Sequence, residues 1–363
     1  MEEEMKDGAV PEQVETENVK CDSCGSNMKF DPESQMLYCE HCGRKESFAV
    51  YVQADELAIE DALKTGGASW AEETKVFRCE NCGAKVVLDK GETAAVCPFC
   101  GTAQVVELEE LAGLKPNALL PFRLTAEDAA VSCKKWAKKK VFAPRAFKKN
   151  LKTESMRGVY IPCFTFDSNT ESVYSGRIGK RHTRTVGSGK NRRTETYIVW
   201  RNVSGRFSHF FDDVSVVAGS KVTQKDLAKM GPFDSNRATK YDGKYLLGFS
   251  SYYYEKDISQ CWGEAKSMMD AQLKRLILSQ YNYDVVDYIN IGTKHYSVTY
   301  KYVLLPVYAG HFDFKKKIYS FFVNGTNGKV TGKTPVAVWK VLVTALVGLA
   351  ALAGLVYLVM QFI

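Results

Sequence analysis

Eight of the chain's eleven cysteines fall into two copies of one pattern, C-x2-C-x14-C-x2-C. Cys21, Cys24, Cys39 and Cys42 form the first copy; Cys79, Cys82, Cys97 and Cys100 form the second. All four C-x2-C pairs run directly into glycine, at Gly25, Gly43, Gly83 and Gly101. Two thiolates so spaced clamp one metal from a tight turn, and the glycine permits the positive φ that aims backbone amides at sulfur. Between the pairs, Met28–Phe30 and Met36–Tyr38 flank a turn at Asp31–Ser34, and Lys85–Leu88 and Ala94–Val96 flank one at Asp89–Glu92. The pattern predicts two β zinc ribbons, each closing four thiolates around a structural Zn2+ and leaving no position open for catalysis. Metal supplies the folding free energy that so small a unit lacks. Disulfides are the competing reading, and they suit an oxidising compartment rather than a chain with no secretory leader. A redox C-x2-C would not recur four times with matched glycines.

The C-terminus sets the compartment. Val341 to Ile363 carries no charge over 23 residues, a helix about 34 Å long against a hydrocarbon layer of about 30 Å. Lys329, Lys333 and Lys340 lie on its N-terminal side, so the bias of positive charge predicts a single-pass anchor in the cytoplasmic membrane with the N-terminal domains cytosolic. Trp339 falls at headgroup level, and Ala350 with Gly354 forms a small-xxx-small pair that permits homo-oligomers.

Charge divides the chain. Residues 1–118 hold 24 acids against 11 Lys and Arg, a net of −13; residues 119–363 hold 18 against 38, a net of +20. Boundaries read as an acidic disordered tail (1–18), ribbon one (19–46), a helical connector (47–75, with helix over Ala54–Lys64), ribbon two (76–103) and a linker (104–118). A basic α+β domain (119–335) and the membrane helix (338–363) complete the chain. Within the basic domain, Ala126–Lys140 and Ser259–Gln280 read as helices. Runs around Pro121, Pro162 and Pro306 read as edge strands or strand starts, since proline cannot donate to a ladder. Segments from Ile161 and Leu305 share a proline, a Phe-Asp and a Tyr-Ser, the mark of a repeated unit. Basic residues cluster over Lys134–Lys149 and over Arg177–Arg193, the second beside a Gly-rich hairpin tip. They suit anionic headgroups or an acidic protein surface. Acidic ribbons argue against nucleic acid, whose readers present a basic face.

No catalytic constellation emerges. Gly187–Lys190 and Gly325–Lys329 lack the glycine and hydroxyl placement of a phosphate loop, and G-x-S-x-G and H-E-x-x-H are absent. Cys133, Cys163 and Cys261 lack local histidine partners and read as buried thiols, His41 as a spacer, and Asp212–Asp213 as a solvent-facing loop pair.

Twin CxxCG ribbons, the segments LLPF, VYIP, LLPVY and VNGTNGKVTG, and a terminal apolar helix resemble the bacterial TFIIB-type zinc-ribbon membrane proteins. Members of that group are sometimes labelled replication-restart helicase-like, although the motor motifs are missing here. The resemblance implies zinc at the eight cysteines, nothing catalytic, and a place in envelope-stress systems beside phage-shock-type and SPFH-domain proteins. The combined expectation is a non-enzymatic membrane-anchored zinc-ribbon adaptor whose ribbons hold a cytosolic protein partner of SPFH or phage-shock type, with the basic domain near the inner leaflet. The alternative is a membrane-tethered nucleic-acid binder using the basic hairpin.

Overall fold

The computed structural model describes residues 19–48, 51–65, 75–88, 97–100, 105–108, 114–149, 153, 156–189, 192–314 and 317–361. The acidic tail, Gly101, the turn at Asp89–Glu92 and the strand expected at Ala94–Val96 lie outside them. Two N-terminal four-cysteine clusters, a sheet-rich α+β region and one C-terminal apolar helix make up the chain.

Ribbon one is a three-stranded sheet of β1 (Met28–Asp31), β2 (Met36–Cys39) and β3 (Lys45–Glu46). Its Asp31 carboxylate accepts from the amides of Glu33 and Ser34, which closes the expected turn. The connector forms β4 (Leu57–Ala58) before α1 (Ile59–Thr65), so the helix starts later than the expected Ala54.

In ribbon two the first strand of the expected hairpin is present at Lys85–Leu88, and the second lies outside the described residues. β5 (Lys75–Cys79) and β6 (Lys85–Leu88) pair across the first cysteine knuckle, and β5 also pairs with β7 (Val105–Leu108). β8 (Ala118–Leu119), α2 (Ala126–Lys138) and α3 (Arg145–Lys149) follow. The long antiparallel pair of β9 (Arg157–Val186) and β10 (Arg193–Val217) comes next. Then come α4 (Gln224–Met230), β11 (Thr239–Lys240), β12 (Ser250–Tyr252), α5 (Ile258–Ser279) and β13 (Val285–Phe314). β14 (Lys317–Asn324), β15 (Val330–Gly332) and α6 (Val338–Gln361) end the chain. Among the described residues, one sheet of twelve strands takes in β6 of ribbon two through its pairing with β12.

The heart of this sheet is an internal two-fold. β9 and β13 run antiparallel, with Ile161 opposite Leu305, Pro162 opposite Leu304 and Tyr160 opposite Pro306. β12 lies parallel to β9 at Val159 and Tyr160, as β8 lies parallel to β13 at Val303 and Leu304. β10 then takes over beside β9 from Cys163, as β14 takes over beside β13 from Val307. The helices obey the same relation. Capping boxes on Thr125 and Asp257 start α2 and α5, and the buried Ala129, Cys133 and Ala137 of α2 are answered by Cys261, Ala265 and Met269 of α5. The repeat expected from Ile161 and Leu305 is therefore present as β8-α2-β9-β10 and β12-α5-β13-β14.

Pro162 and Pro306 correct the edge-strand expectation, because both stand inside the sheet. Each occupies the gap where one neighbouring strand ends and the next begins. Its carbonyl is taken by a crossing amide, Ala218 N–H to Pro162 O at 3.0 Å and Gly325 N–H to Pro306 O at 2.9 Å. A residue's N–H and C=O point to the same side of a strand, so the missing donors fall where no ladder partner stands.

Beyond this core β9, β10 and the first half of β13 form a three-stranded arm. β9 alone has 30 residues, about 100 Å of extended chain. One face packs Tyr174, Ile178 and Val203 under Leu278 and Tyr281 at the end of α5. On the other face Val173, Ile198, Phe210, Tyr288 and Tyr296 are exposed, interleaved with Arg177, Arg181, Arg206 and Lys294.

Candidate metal centres

The four sulfurs of each ribbon converge. Cys21 and Cys42 Sγ stand 3.5 Å apart, Cys24 and Cys39 3.5 Å, Cys79 and Cys100 3.5 Å, and Cys82 and Cys97 3.6 Å. Within each set all four lie within 4.8 Å of one another. A tetrahedron with metal–sulfur bonds of about 2.3 Å has edges of about 3.8 Å, whereas a disulfide needs about 2.05 Å. All eight are free thiols, so the donor sets fit a metal and not a disulfide framework.

The glycines do what the motif requires: Gly25, Gly43 and Gly83 adopt φ of 71°, 78° and 71°. Their turns aim amides at sulfur. The Ser26 amide is the main cause holding the Cys24 thiol down to about 6, and Ser23 and Cys24 amides reach Cys21. In ribbon two the contact with Cys97 holds Cys82 down to about 5, against its own burial and with help from the Ala84 amide. Each lowered thiol has a raised partner in its set: contact with Cys82 raises Cys97, and against the Arg44 amide the contact with Cys21 raises Cys42 to about 12. Sulfur donors reject hard ions such as Mg2+ and Ca2+.

The two centres differ in how they are housed, and the knuckle residues explain it. Ribbon one closes with Cys39-Glu40-His41-Cys42, whose Glu40 and His41 face solvent, leaving Cys24 and Cys42 exposed. Ribbon two closes with Cys97-Pro98-Phe99-Cys100, and Phe99 drives into the core against Tyr252 at 5.1 Å and Phe322 at 6.5 Å. Cys79, Cys97 and Cys100 are buried there, and the Lys221 ammonium caps the knuckle through the Cys82 carbonyl. Ribbon one keeps its own three-stranded sheet and docks by Phe30 and Phe48 against Tyr245, by the Phe30 amide on Leu247 O at 3.0 Å and by Gln35 Nε2 on Phe122 O at 2.7 Å. A chelator is expected to strip metal in two phases, the faster from ribbon one. Single-phase release followed by a metallochromic dye, with cysteine alkylation equal at both sites, would contradict this.

A second polar cluster joins the connector to the sheet, and sequence reading missed it. Lys301 on β13, nearly buried, pairs with Asp213 at 2.9 Å and Glu56 at 3.2 Å. Asp167 on β9 accepts from the Asp213 amide at 2.5 Å and from Thr299 Oγ1 at 3.2 Å. The expectation that Asp212 and Asp213 both face solvent is half corrected. Asp212 is exposed, but a bulge between Phe211 and Val214 gives Asp213 a φ of 50° and turns its side chain inward. Burial, with Glu56 alongside, pushes Asp167 up to about 6. Against desolvation, Asp167 and the Lys301 cation hold Glu56 below the ordinary carboxylate range. Cys133, Cys163 and Cys261 are fully buried, and burial pushes the Cys133 and Cys261 thiols up to about 12.

The last element, α6, has 24 residues, a mean hydropathy of 2.4 and no buried share. A helix apolar on every side with an unburied span has the length and surface of a bilayer span.

A double four-thiolate chain with a candidate membrane helix is thus the class these features define. No family model matches the chain, and no solved structure matches it. It is 28% identical over 327 residues to "Uncharacterized protein YdjG" of Bacillus subtilis (strain 168), a stretch covering 89% of this chain and 91% of that protein.

Proposed function

We propose that the chain is a non-enzymatic adaptor, anchored in the cytoplasmic membrane by α6 with its remaining domains cytosolic, and carrying two structural zinc ions. Zinc is favoured because four thiolates without an open position suit a redox-silent tetrahedral ion. The observation that carries the adaptor reading is the uncovered face of the three-stranded arm. It offers aromatic side chains for burial and Arg177, Arg181 and Arg206 for an acidic partner surface. Ribbons seated on the sheet then brace that platform. The resemblance noted above adds the partner class, a cytosolic protein of SPFH or phage-shock type.

In-cell crosslinking with mass spectrometry tests this reading. A protein captured by the wild type and lost in Arg177→Glu/Phe210→Asp identifies the client and the face. Capture that survives that variant but fails in Cys79→Ser/Cys82→Ser moves the binding surface to the ribbons. No specific protein captured in either case sinks the adaptor reading. The Arg177 guanidinium over Trp200 at 5.3 Å, on the same open face, favours single-stranded nucleic acid as the second reading. That alternative predicts RNA or DNA binding by the full chain that weakens steeply with salt.

A further inference from the structure

The turn between α2 and α3 is built against solvent rules. Its tip is Lys139-Lys140-Val141-Phe142, with Val141 68% and Phe142 41% exposed. A water-facing turn normally carries polar residues. The backbone of the turn is welded to the base of α6. The Ala337 amide donates to Phe142 O at 2.8 Å, and the Lys340 ammonium donates to Val141 O at 3.1 Å and Ala143 O at 2.7 Å. Ala337 immediately precedes α6, so Val141 and Phe142 stand within one turn of the start of that helix, beside exposed Val336, Val338 and Trp339. Lys138, Lys139 and Arg145 ring the same spot on the solvent side.

We infer that the Val141–Phe142 turn is a second membrane contact, a wedge that enters the headgroup–acyl boundary next to α6 while the surrounding lysines hold anionic headgroups. The inference rests on the reading of α6 as a membrane span. Apolar tips flanked by lysine suit this interface, where the apolar atoms leave water and the ammonium groups remain at phosphate level. The hydrogen bonds from Ala337 and Lys340 stop the domain from swinging about the end of its anchor. The wedge therefore fixes how the sheet stands over the bilayer, instead of leaving it on a free tether.

The full chain, purified and reconstituted in phosphatidylcholine vesicles containing phosphatidylglycerol, tests this with the photoreactive benzoylphenylalanine placed at position 142 or at position 210 on the open arm. Lipid adducts at 142 and none at 210, with the 142 yield at least threefold lower in Lys138→Glu/Lys139→Glu or in vesicles lacking phosphatidylglycerol, are the expected result. Flotation and carbonate extraction of the same samples report the anchor separately. If the chain floats and resists extraction but position 142 gives no lipid adduct, the wedge is wrong and the anchor stands. Adducts to a second protein chain at 142 overturn the wedge by making the turn a protein interface. A chain that does not float takes down both readings.

Discussion

Cys97→Ser is expected to lower bound metal from two ions per chain to one and to unfasten more than its own ribbon. A structural four-thiolate site contributes about 10–16 kcal/mol of apparent folding free energy, as much as or more than the roughly 5–15 kcal/mol that holds an ordinary domain together. In ribbon two that energy is not confined to the knuckle. Phe99 is seated between Tyr252 and Phe322, and β6 lends its edge to β12 at Val86 and Val87. β12 in turn lies parallel to β9 at the two-fold. Loss of the metal is thus expected to raise amide exchange at Ser250–Tyr252 together with Lys85–Leu88. The matching Cys24→Ser change in ribbon one should also lose one ion, yet leave exchange at Ser250–Tyr252 near wild type, since its moorings (Phe30 and Phe48 on Tyr245, the Phe30 amide on Leu247 O and Gln35 Nε2 on Phe122 O) lie outside β12. Native mass spectrometry gives the metal count and hydrogen exchange gives the spread. Equal protection of Ser250–Tyr252 in both variants would refute the division into a built-in and a docked ribbon.

The cysteine clusters were legible in the sequence because coordination chemistry fixes both residue type and spacing, and the glycines at 25, 43 and 83 carry the required backbone signature. The apolar terminal helix was legible because its signal is composition over a whole span. α2 and α5 were found within two residues by their amphipathic spacing. What escaped was long-range pairing. Nothing local tells Pro162 that it stands opposite Leu304, or that β12 stops where β10 begins, so proline's usual edge placement misled. The shared Phe-Asp of the two segments was likewise a distraction, since the structural equivalence rests on the prolines and their crossing amides. The ionic cluster escaped for the same reason: Glu56, Asp167, Asp213 and Lys301 come from four separate elements. One signal was available. Lys301 interrupts an otherwise apolar and aromatic run from Tyr300 to Val307, where a charge needs a buried partner.

Lys301→Met should be the most damaging single change in the central sheet. Methionine keeps an apolar stem of similar length but removes the cation that Asp213 and Glu56 share. Breaking a buried pair from one side costs about 3–5 kcal/mol, because the remaining carboxylates stay desolvated without a counter-charge. The pH dependence gives this cause a signature that mere loss of packing lacks. Asp167 has a folded pKa of about 6, above the unfolded value of about 3.9. Its ionisation therefore opposes folding, and stability falls as pH rises from about 4 through 6. Glu56 has the opposite sign, its folded pKa being lowered, so its stabilising share is present above about 4.3 and lost as pH falls below that value. Without Lys301, the repulsion that Asp167 meets on ionising is larger, so the variant's deficit should be greatest near pH 7.5 and shrink toward pH 5. Adding Asp213→Asn to Lys301→Met should recover part of the loss, since the two residues act as one pair. Thermal unfolding of the four proteins at both pH values reads this out. A deficit that is the same at pH 5 and pH 7.5, and is not eased by Asp213→Asn, would mean that Lys301 acts through its alkyl stem alone. The connector would then be held to the sheet by β4 and α1, and the charge that Glu56 brings to it would be incidental.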